Sequence, residues 1–244
     1  MMALTPAEQA LSDLIRQAHT SKNPVDGKSA ERGVDLDGAY RLQAASQGKR
    51  VLKGYKLGLI SPAKQQQMGI DTPIYGRIYA DMLLQSTVNL ADYVQPRMEP
   101  EIALVLTADI APDSSSENIS QAVGGFFVGV DVLDSVWRDY KFTAPEVVSD
   151  NTSGGGFLLA GRMSDHIDSG ILRMYLNGEL QTEGNTDALG NPVERLLWLA
   201  QCVRGLSAGI IVFLGSPAAA VPARAGTLEV VSPDGHALVA RIVA

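Results

Sequence analysis

Cysteine is nearly absent from this chain: Cys202 is the single one in 244 residues. One thiol excludes a disulfide framework and a thiolate zinc site. Positive charge is also scarce, with 20 Lys and Arg against 27 Asp and Glu and a formal net charge of -7. No basic run offers phosphates a footing, so nucleic acid is not an expected partner. No apolar stretch approaches the ~20 residues of a membrane span. The first residues carry no basic-then-apolar leader pattern and read instead as an amphipathic helix from Met1 to Lys22. No membrane partner is therefore expected, and the cytoplasm is the default compartment. The three histidines, His19, His166 and His236, sit in polar contexts without H-E-x-x-H or zinc-finger spacing, and no role follows for them. A Gly-x-Ser-x-Gly elbow is missing, which disfavours an α/β-hydrolase. No period of 20 to 50 residues repeats.

What is present is a chain 45% hydrophobic, long enough to bury a sizeable core as one large domain or a domain with a small appendage. Its 24 glycines and 12 prolines suit a strand-rich protein with many turns. Thr5-Pro6-Ala7-Glu8 reads as an N-cap followed by proline at the first helical position, with Leu11, Leu14, Ile15 and Ala18 recurring at helical spacing. A polar loop from Asn23 to Gly33 precedes a second helix expected over Asp35 to Val51. Residues 1–53 thus read as a helical cap and 54–244 as a strand-rich body. Gly54 to Leu59 reads as a strand, Ser61 to Met68 as a helical turn or two, and Thr72 to Gly76 as a turn. Strands are expected at Ile102 to Leu106, Phe126 to Leu133, Phe157 to Ala160, Ile171 to Leu176, Ile210 to Leu214, Leu228 to Val231 and Leu238 to Ile242. Asn177-Gly178 signals a two-residue hairpin and Pro233-Asp234-Gly235 another turn. Asn191-Pro192 starts a helix through Val203, with Leu196, Leu197, Leu199 and Ala200 as its stripe. The sum is an α+β chain with early helices and a mostly antiparallel body.

The most chemically pointed stretch is Arg97-Met98-Glu99-Pro100-Glu101, at the entry to an apolar run. On a strand, positions i and i+2 share a face, so Glu99 and Glu101 stand side by side. Two such charges need a positive partner, and a hard dication such as Mg2+ fits oxygen ligands while leaving positions for water and substrate. The alternative is a solvated strand end for one glutamate and a pair with Arg97 for the other. Asp131, inside another apolar run, could complete a facial carboxylate set, or could pair with Arg138 or cap a turn. Lys56, flanked by Tyr55 and Leu57, is either a desolvated lysine suited to acid/base work or one whose ammonium reaches water. Ser149 to Gly156 forms a tight loop whose N–H groups could face a ligand, or an ordinary surface loop; it lacks the Gly-Lys-Ser/Thr of a P-loop.

Six segments in order resemble the hydratase/decarboxylase branch of the fumarylacetoacetate hydrolase superfamily: Gly54 to Leu59, Met68 to Gly76, Pro96 to Ala103, Asp131 to Ser135, Ser149 to Ser153 and Ala208 to Gly226. The resemblance spans nearly the whole chain and implies a strand-rich α+β fold around a divalent ion, Mg2+ or Mn2+. It implies Glu99, Glu101 and Asp131 as metal ligands, Lys56, Asp150 and Lys141 as catalytic residues, and Leu59, Ile74, Ser153 and Ser216 at the substrate. The substrate class implied is a small 2-oxo acid from the meta-cleavage breakdown of aromatic compounds. Two activities are open: decarboxylation of a 2-oxohex-3-enedioate, and hydration of 2-hydroxypenta-2,4-dienoate. Ile74 stands where hydratases typically place an aspartate, and Lys141 adds a cation for a dianion; both favour the decarboxylase. Two departures point elsewhere. Asp131 is one methylene shorter than the usual glutamate, and Val136 replaces a common arginine, for which Arg138 is a candidate substitute. A non-catalytic binding relative is the third reading. The resemblance also implies a homo-oligomer, or a complex between decarboxylase and hydratase.

Overall fold

The computed structural model describes residues 3–27 and 32–244. Helix α1 spans Pro6–Ser21 and opens on a capping box, in which the Thr5 hydroxyl accepts from the Glu8 N–H and the Glu8 carboxylate accepts from the Thr5 N–H. Helix α2, Leu36–Ala45, is capped by Asp35. It ends earlier than the expected Val51, because residues 46–48 turn away and Leu52 already belongs to strand β1, Leu52–Gly58. Helix α3, Pro62–Met68, starts on the Ser61 cap. The expected turn at 72–76 is overturned from Ile74 onward: Ile74–Tyr79 is strand β2, paired antiparallel with β1. Its six residues are largely buried, and the missing polar alternation hid a strand behind the Thr72-Pro73 turn signal.

The remaining strands are β3 (Thr87–Asn89), β4 (Arg97–Leu106), β5 (Val123–Leu133), β6 (Gly154–Ser164), β7 (Ile171–Leu176), β8 (Glu179–Asn185), β9 (Ile211–Phe213), β10 (Val221–Pro222), β11 (Gly226–Val231) and β12 (Ala237–Val243). Helices α4 (Ser116–Ala122) and α5 (Ala144–Ser149) intervene, and α6 (Pro192–Val203) follows its Asn191 cap. Helices α4 and α5 were not anticipated; each is under two turns, too short to show a 3.6-residue period.

A seven-stranded sheet runs β2-β1-β9-β4-β5-β6, with β10 pairing β4; a five-stranded sheet runs β3-β12-β11-β7-β8. Pairings are antiparallel except β1 with β9 and β12 with β3, so the fold is α+β with two mixed sheets. Asn177 and Gly178 both take positive φ, 51° and 81°, as a two-residue hairpin between β7 and β8 requires. The main core lies between the sheets and takes in Ile102, Leu104, Val128, Val130, Val230 and Ile242. A second cluster fastens the early helices to the body through Leu11, Ile15, Leu42, Val136 and Trp137. Among the described residues no helix is long and apolar enough to cross a membrane.

Candidate metal centre

Strand β4 brings Glu99 and Glu101 to one face, and the β4–β5 register sets Asp131 directly opposite Glu99. Carboxylate oxygens of Glu99, Glu101 and Asp131 lie within 4.8 Å of one another. Glu101 and Asp131 are fully buried and Glu99 is half-buried. Like charges this close in a poorly solvated place require a cation. Lys56 supplies one: it is 3% exposed, its Nζ stands 2.6 Å from Asp131 Oδ2, and it donates to the Thr152 carbonyl at 3.0 Å. The reading of Lys56 as a lysine reaching water is thereby excluded. So is the pairing of Asp131 with Arg138, which instead bonds Asp26 and the Pro24 carbonyl at the surface.

One lysine leaves the cluster short of positive charge. Burial raises the Glu101 pKa well above the carboxylate range, and Asp131 and Glu99 push it the same way; Lys56 and the Gly215 N–H, which donates to Oε2 at 2.9 Å, oppose them incompletely. Burial likewise lifts Asp131 to about 6 despite Lys56, and raises Glu99 despite Lys56, Lys64 and Arg97. For Lys56 the balance reverses: burial acts to lower its pKa, but Asp131, Glu101 and Glu99 outweigh it and hold the ammonium above its ordinary value. Glu101 Oε1 and Asp131 Oδ1 are buried without a hydrogen-bond partner among the described residues. Two orphaned carboxylate oxygens beside a third carboxylate form a hard donor set that fits Mg2+ or Mn2+. The shorter Asp131 still reaches, because its register position is level with Glu99.

Glycines make the room. Gly76 lies opposite Lys56 in the β1–β2 ladder, and a Cβ there would come within 2.5 Å of the Asn151 carbonyl and 3.1 Å of Lys56 Cγ. Asn151 latches that segment onto the edge of β2: its Oδ1 accepts from the Arg77 N–H and its Nδ2 donates to the Arg77 carbonyl. Asn151, Thr152 and Ser153 all adopt positive φ, between 48° and 55°. Three consecutive left-handed non-glycine residues store strain, which the surrounding contacts must hold. Thr152 and Ser153 are buried, so this is not an ordinary surface loop.

A cavity of about 160 Å³ opens beside the carboxylates. It is lined by Lys56, Leu59, Ile74, Glu99, Ser153 and Ser216, and also by Lys64, Tyr140, Phe142 and Val147. Ser153 Oγ is buried there and has no hydrogen-bond partner among the described residues, whereas Ser216 Oγ is engaged by the Pro100 carbonyl and the Ala218 N–H. Lys141 and Asp150 are not part of this wall. The Lys141 side chain is 71% exposed and pairs with Asp139 at 3.5 Å. Asp150 is buried behind the wall, where Oδ1 meets His19 Nε2 at 2.7 Å and Oδ2 accepts from the Val136 N–H at 2.9 Å. Val136 itself packs in the second core cluster and leaves no cation in the arginine position.

Sequence reasoning missed His19 and Lys64, and it cited Tyr140-Lys141-Phe142 for the lysine, whereas Tyr140 and Phe142 are the ones that line the cavity. The His19–Asp150 contact joins residues 131 apart, and nothing local announces it. Tyr140 has a positive φ of 60° and is held by its hydroxyl on the Gln95 carbonyl, which no spacing rule foretells.

The Fumarylacetoacetate (FAA) hydrolase C-terminal family model matches residues 72–242. A 4-oxalocrotonate decarboxylase from a Pseudomonas species is 33% identical over 228 residues, covering 90% of this chain and 88% of that protein. A 2-keto-4-pentenoate hydratase from Burkholderia vietnamiensis is 36% identical over 215 residues, covering 80% and 81%. The solved structure of 4-oxalocrotonate decarboxylase from Pseudomonas putida G7, complexed with magnesium and adipate, superposes with a TM-score of 0.88 at 27% identity over 100% of both chains. On these matches, which agree with the buried carboxylate cluster, the chain belongs to the fumarylacetoacetate hydrolase family, in the branch that holds these decarboxylases and hydratases.

Proposed function

We propose that this protein is a divalent-metal-dependent lyase that decarboxylates a 2-oxohex-3-enedioate, with residues 1–53 as a cap on a catalytic body of 54–244. The observation that carries this reading is the convergence of Glu99, Glu101 and Asp131 with the buried Lys56 at one end of a largely apolar cavity. Glu99, Glu101 and Asp131 would hold the ion, Mg2+ or Mn2+. When bound it would supply Lewis acidity toward the substrate's 2-oxo oxygen.

The chain's own groups do the rest. Lys56, kept protonated by its carboxylate neighbours and oriented by the Thr152 carbonyl, places a fixed positive charge beside the reacting end. In the reaction the bond between C5 and C6 breaks and carbon dioxide leaves. The electron pair moves through the conjugated chain toward the 2-oxo oxygen, where positive charge favours it. Ile74, Leu59, Phe142 and Val147 wall the inner cavity with hydrocarbon and exclude water from the conjugated chain. Ser153 Oγ supplies an unused hydrogen-bonding group at the same wall.

Hydration of 2-hydroxypenta-2,4-dienoate is the second reading, favoured by the 36% identity to a hydratase. Against it stands Ile74, buried in the cavity wall, which has no proton to exchange with water. Turnover with both substrates, with Mg2+ and with EDTA, separates them. Mg2+-dependent carbon dioxide release supports the first reading; loss of the ultraviolet dienol band without gas supports the second. Metal binding without turnover of either substrate would instead indicate a non-catalytic relative. Lys56→Met should abolish turnover by either route, and full activity in that variant would contradict the role given to Lys56. Assembly with further copies, or with the partner hydratase or decarboxylase, belongs to the same reading and is measured by sedimentation.

A further inference from the structure

The charges around the cavity do not close for a dianionic substrate unless a further cation takes part. With a dication bound, the three carboxylates are ionised. Their three negative charges are then matched by Lys56 and the two charges of the ion. A monoanion entering that neutral site adds one negative charge, which the bound ion would attract. A dianion adds a second charge at its far end, away from the ion and in a cavity lined mostly by Leu57, Leu59, Ile74, Phe142, Val147 and Ala220. An unpaired carboxylate in such surroundings is strongly disfavoured.

Among the described residues lining the cavity, Lys56 and Lys64 are the cationic ones. Lys56 is committed to Asp131. Lys64 stands on α3, is exposed at the cavity mouth, and has no ion-pair or hydrogen-bond partner through its side chain among the described residues. Arg97 stacks its guanidinium 4.2 Å from the Tyr140 ring and does not line the cavity. Lys141, the cation suggested by sequence, points to Asp139.

We infer that Lys64 is the specificity-determining residue of this site, a docking cation for the distal carboxylate of a dianionic 2-oxo acid. The inference rests on the lyase reading for its substrate class. That carboxylate is also the group that leaves as neutral carbon dioxide, so its attraction to Lys64 belongs to the ground state and fades as the bond breaks. Lys64 therefore favours binding of the dianion without accelerating its decarboxylation. Its place at the wet mouth, with the hydrocarbon wall further in, keeps this attraction modest.

The test compares wild type, Lys64→Gln and Lys64→Arg with Mg2+ present. For the 2-oxo-enedioate, Lys64→Gln should raise KM about tenfold, the effect of roughly one modest charge-assisted contact. Its kcat should hold or rise, and Lys64→Arg should restore KM. For the monoanionic pentadienoate the Gln variant should match wild type. An unchanged KM for the dianion, an equal change for both substrates, or a fall in kcat with KM unchanged would overturn the assignment. Calorimetric titration of the Mg2+-loaded protein with adipate and with pentanoate gives a readout free of turnover. Wild type should prefer adipate and Lys64→Gln should lose that preference; a preference that survives in the variant, or is missing from wild type, would overturn it. If neither substrate is turned over while the adipate preference disappears in Lys64→Gln, the lyase reading fails and the Lys64 assignment stands.

Discussion

Replacing Glu101 by glutamine should have opposite effects on the metal-free and metal-loaded protein. Without metal, Glu101 faces two other carboxylates whose oxygens lie within 4.8 Å. At that distance and an effective dielectric of about 20, each like pair repels by about 3.5 kcal/mol. Protonation limits how much of this the folded state bears, since a buried acid neutralises before it accepts the full penalty. The glutamine side chain is nearly the same shape, can still accept from the Gly215 N–H, and brings a donor to a place with unpartnered oxygens. Metal-free Glu101→Gln should therefore be more stable than metal-free wild type at pH 8 by about 1–3 kcal/mol. Mg2+ at a hundred times its Kd should stabilise wild type by about 2.7 kcal/mol, a rise of roughly 5–10 °C in Tm for a chain of this length. The variant should show little or no rise. Thermal unfolding in EDTA and in Mg2+ reads all four states. The reasoning fails if the variant keeps the wild-type Mg2+ shift, or if the metal-free variant melts below metal-free wild type.

His19 gives a pH prediction. Burial would lower its pKa, but Asp150 and Asp134 raise it above 6.5 against the opposing charge of Lys22. A histidine whose folded pKa is raised stabilises the fold fully below about pH 6.5, and that contribution is lost as pH climbs through the folded value. The ring is 39% exposed, so solvent weakens the effect. Urea midpoints of wild type and His19→Gln should differ more at pH 5.5 than at pH 8.5, and a pH-independent difference would refute the argument. Gly76→Ala tests the packing of the loop against β2. Its Cβ would sit 2.5 Å from the Asn151 carbonyl, so the loop or the strand must shift. The expected loss is about 1–3 kcal/mol in urea, with a fall in kcat because the same loop carries the Thr152 carbonyl that orients Lys56. An unchanged midpoint and kcat would show that the close fit there has no consequence.

Local chemistry marked many of the elements in the chain itself. Thr5, Asp35, Ser61 and Asn191 each announced a helix and each caps one. Asn177-Gly178 announced its hairpin, and the apolar runs announced most strands within a few residues. These signals are legible because they are short-range: a cap or a two-residue turn is complete within four positions. The E-x-E spacing was legible for the same reason, since the strand period alone places both side chains on one face.

The tertiary structure decided what depends on distant partners. Strand register set Asp131 against Glu99, and the ladders across β1, β9 and β4 carried Lys56 to that carboxylate; no sequence window holds those residues together. It also separated side chains that the sequence treats alike. Lys56, Lys64 and Lys141 are three lysines beside apolar residues, yet one is locked to Asp131, one stands at the cavity mouth with no ion-pair partner among the described residues, and one lies outside it. The physical reason is that charge and burial are properties of a place in space. A residue type says which proton or charge a side chain can carry, and the fold sets the neighbours and the solvent that determine what that charge does.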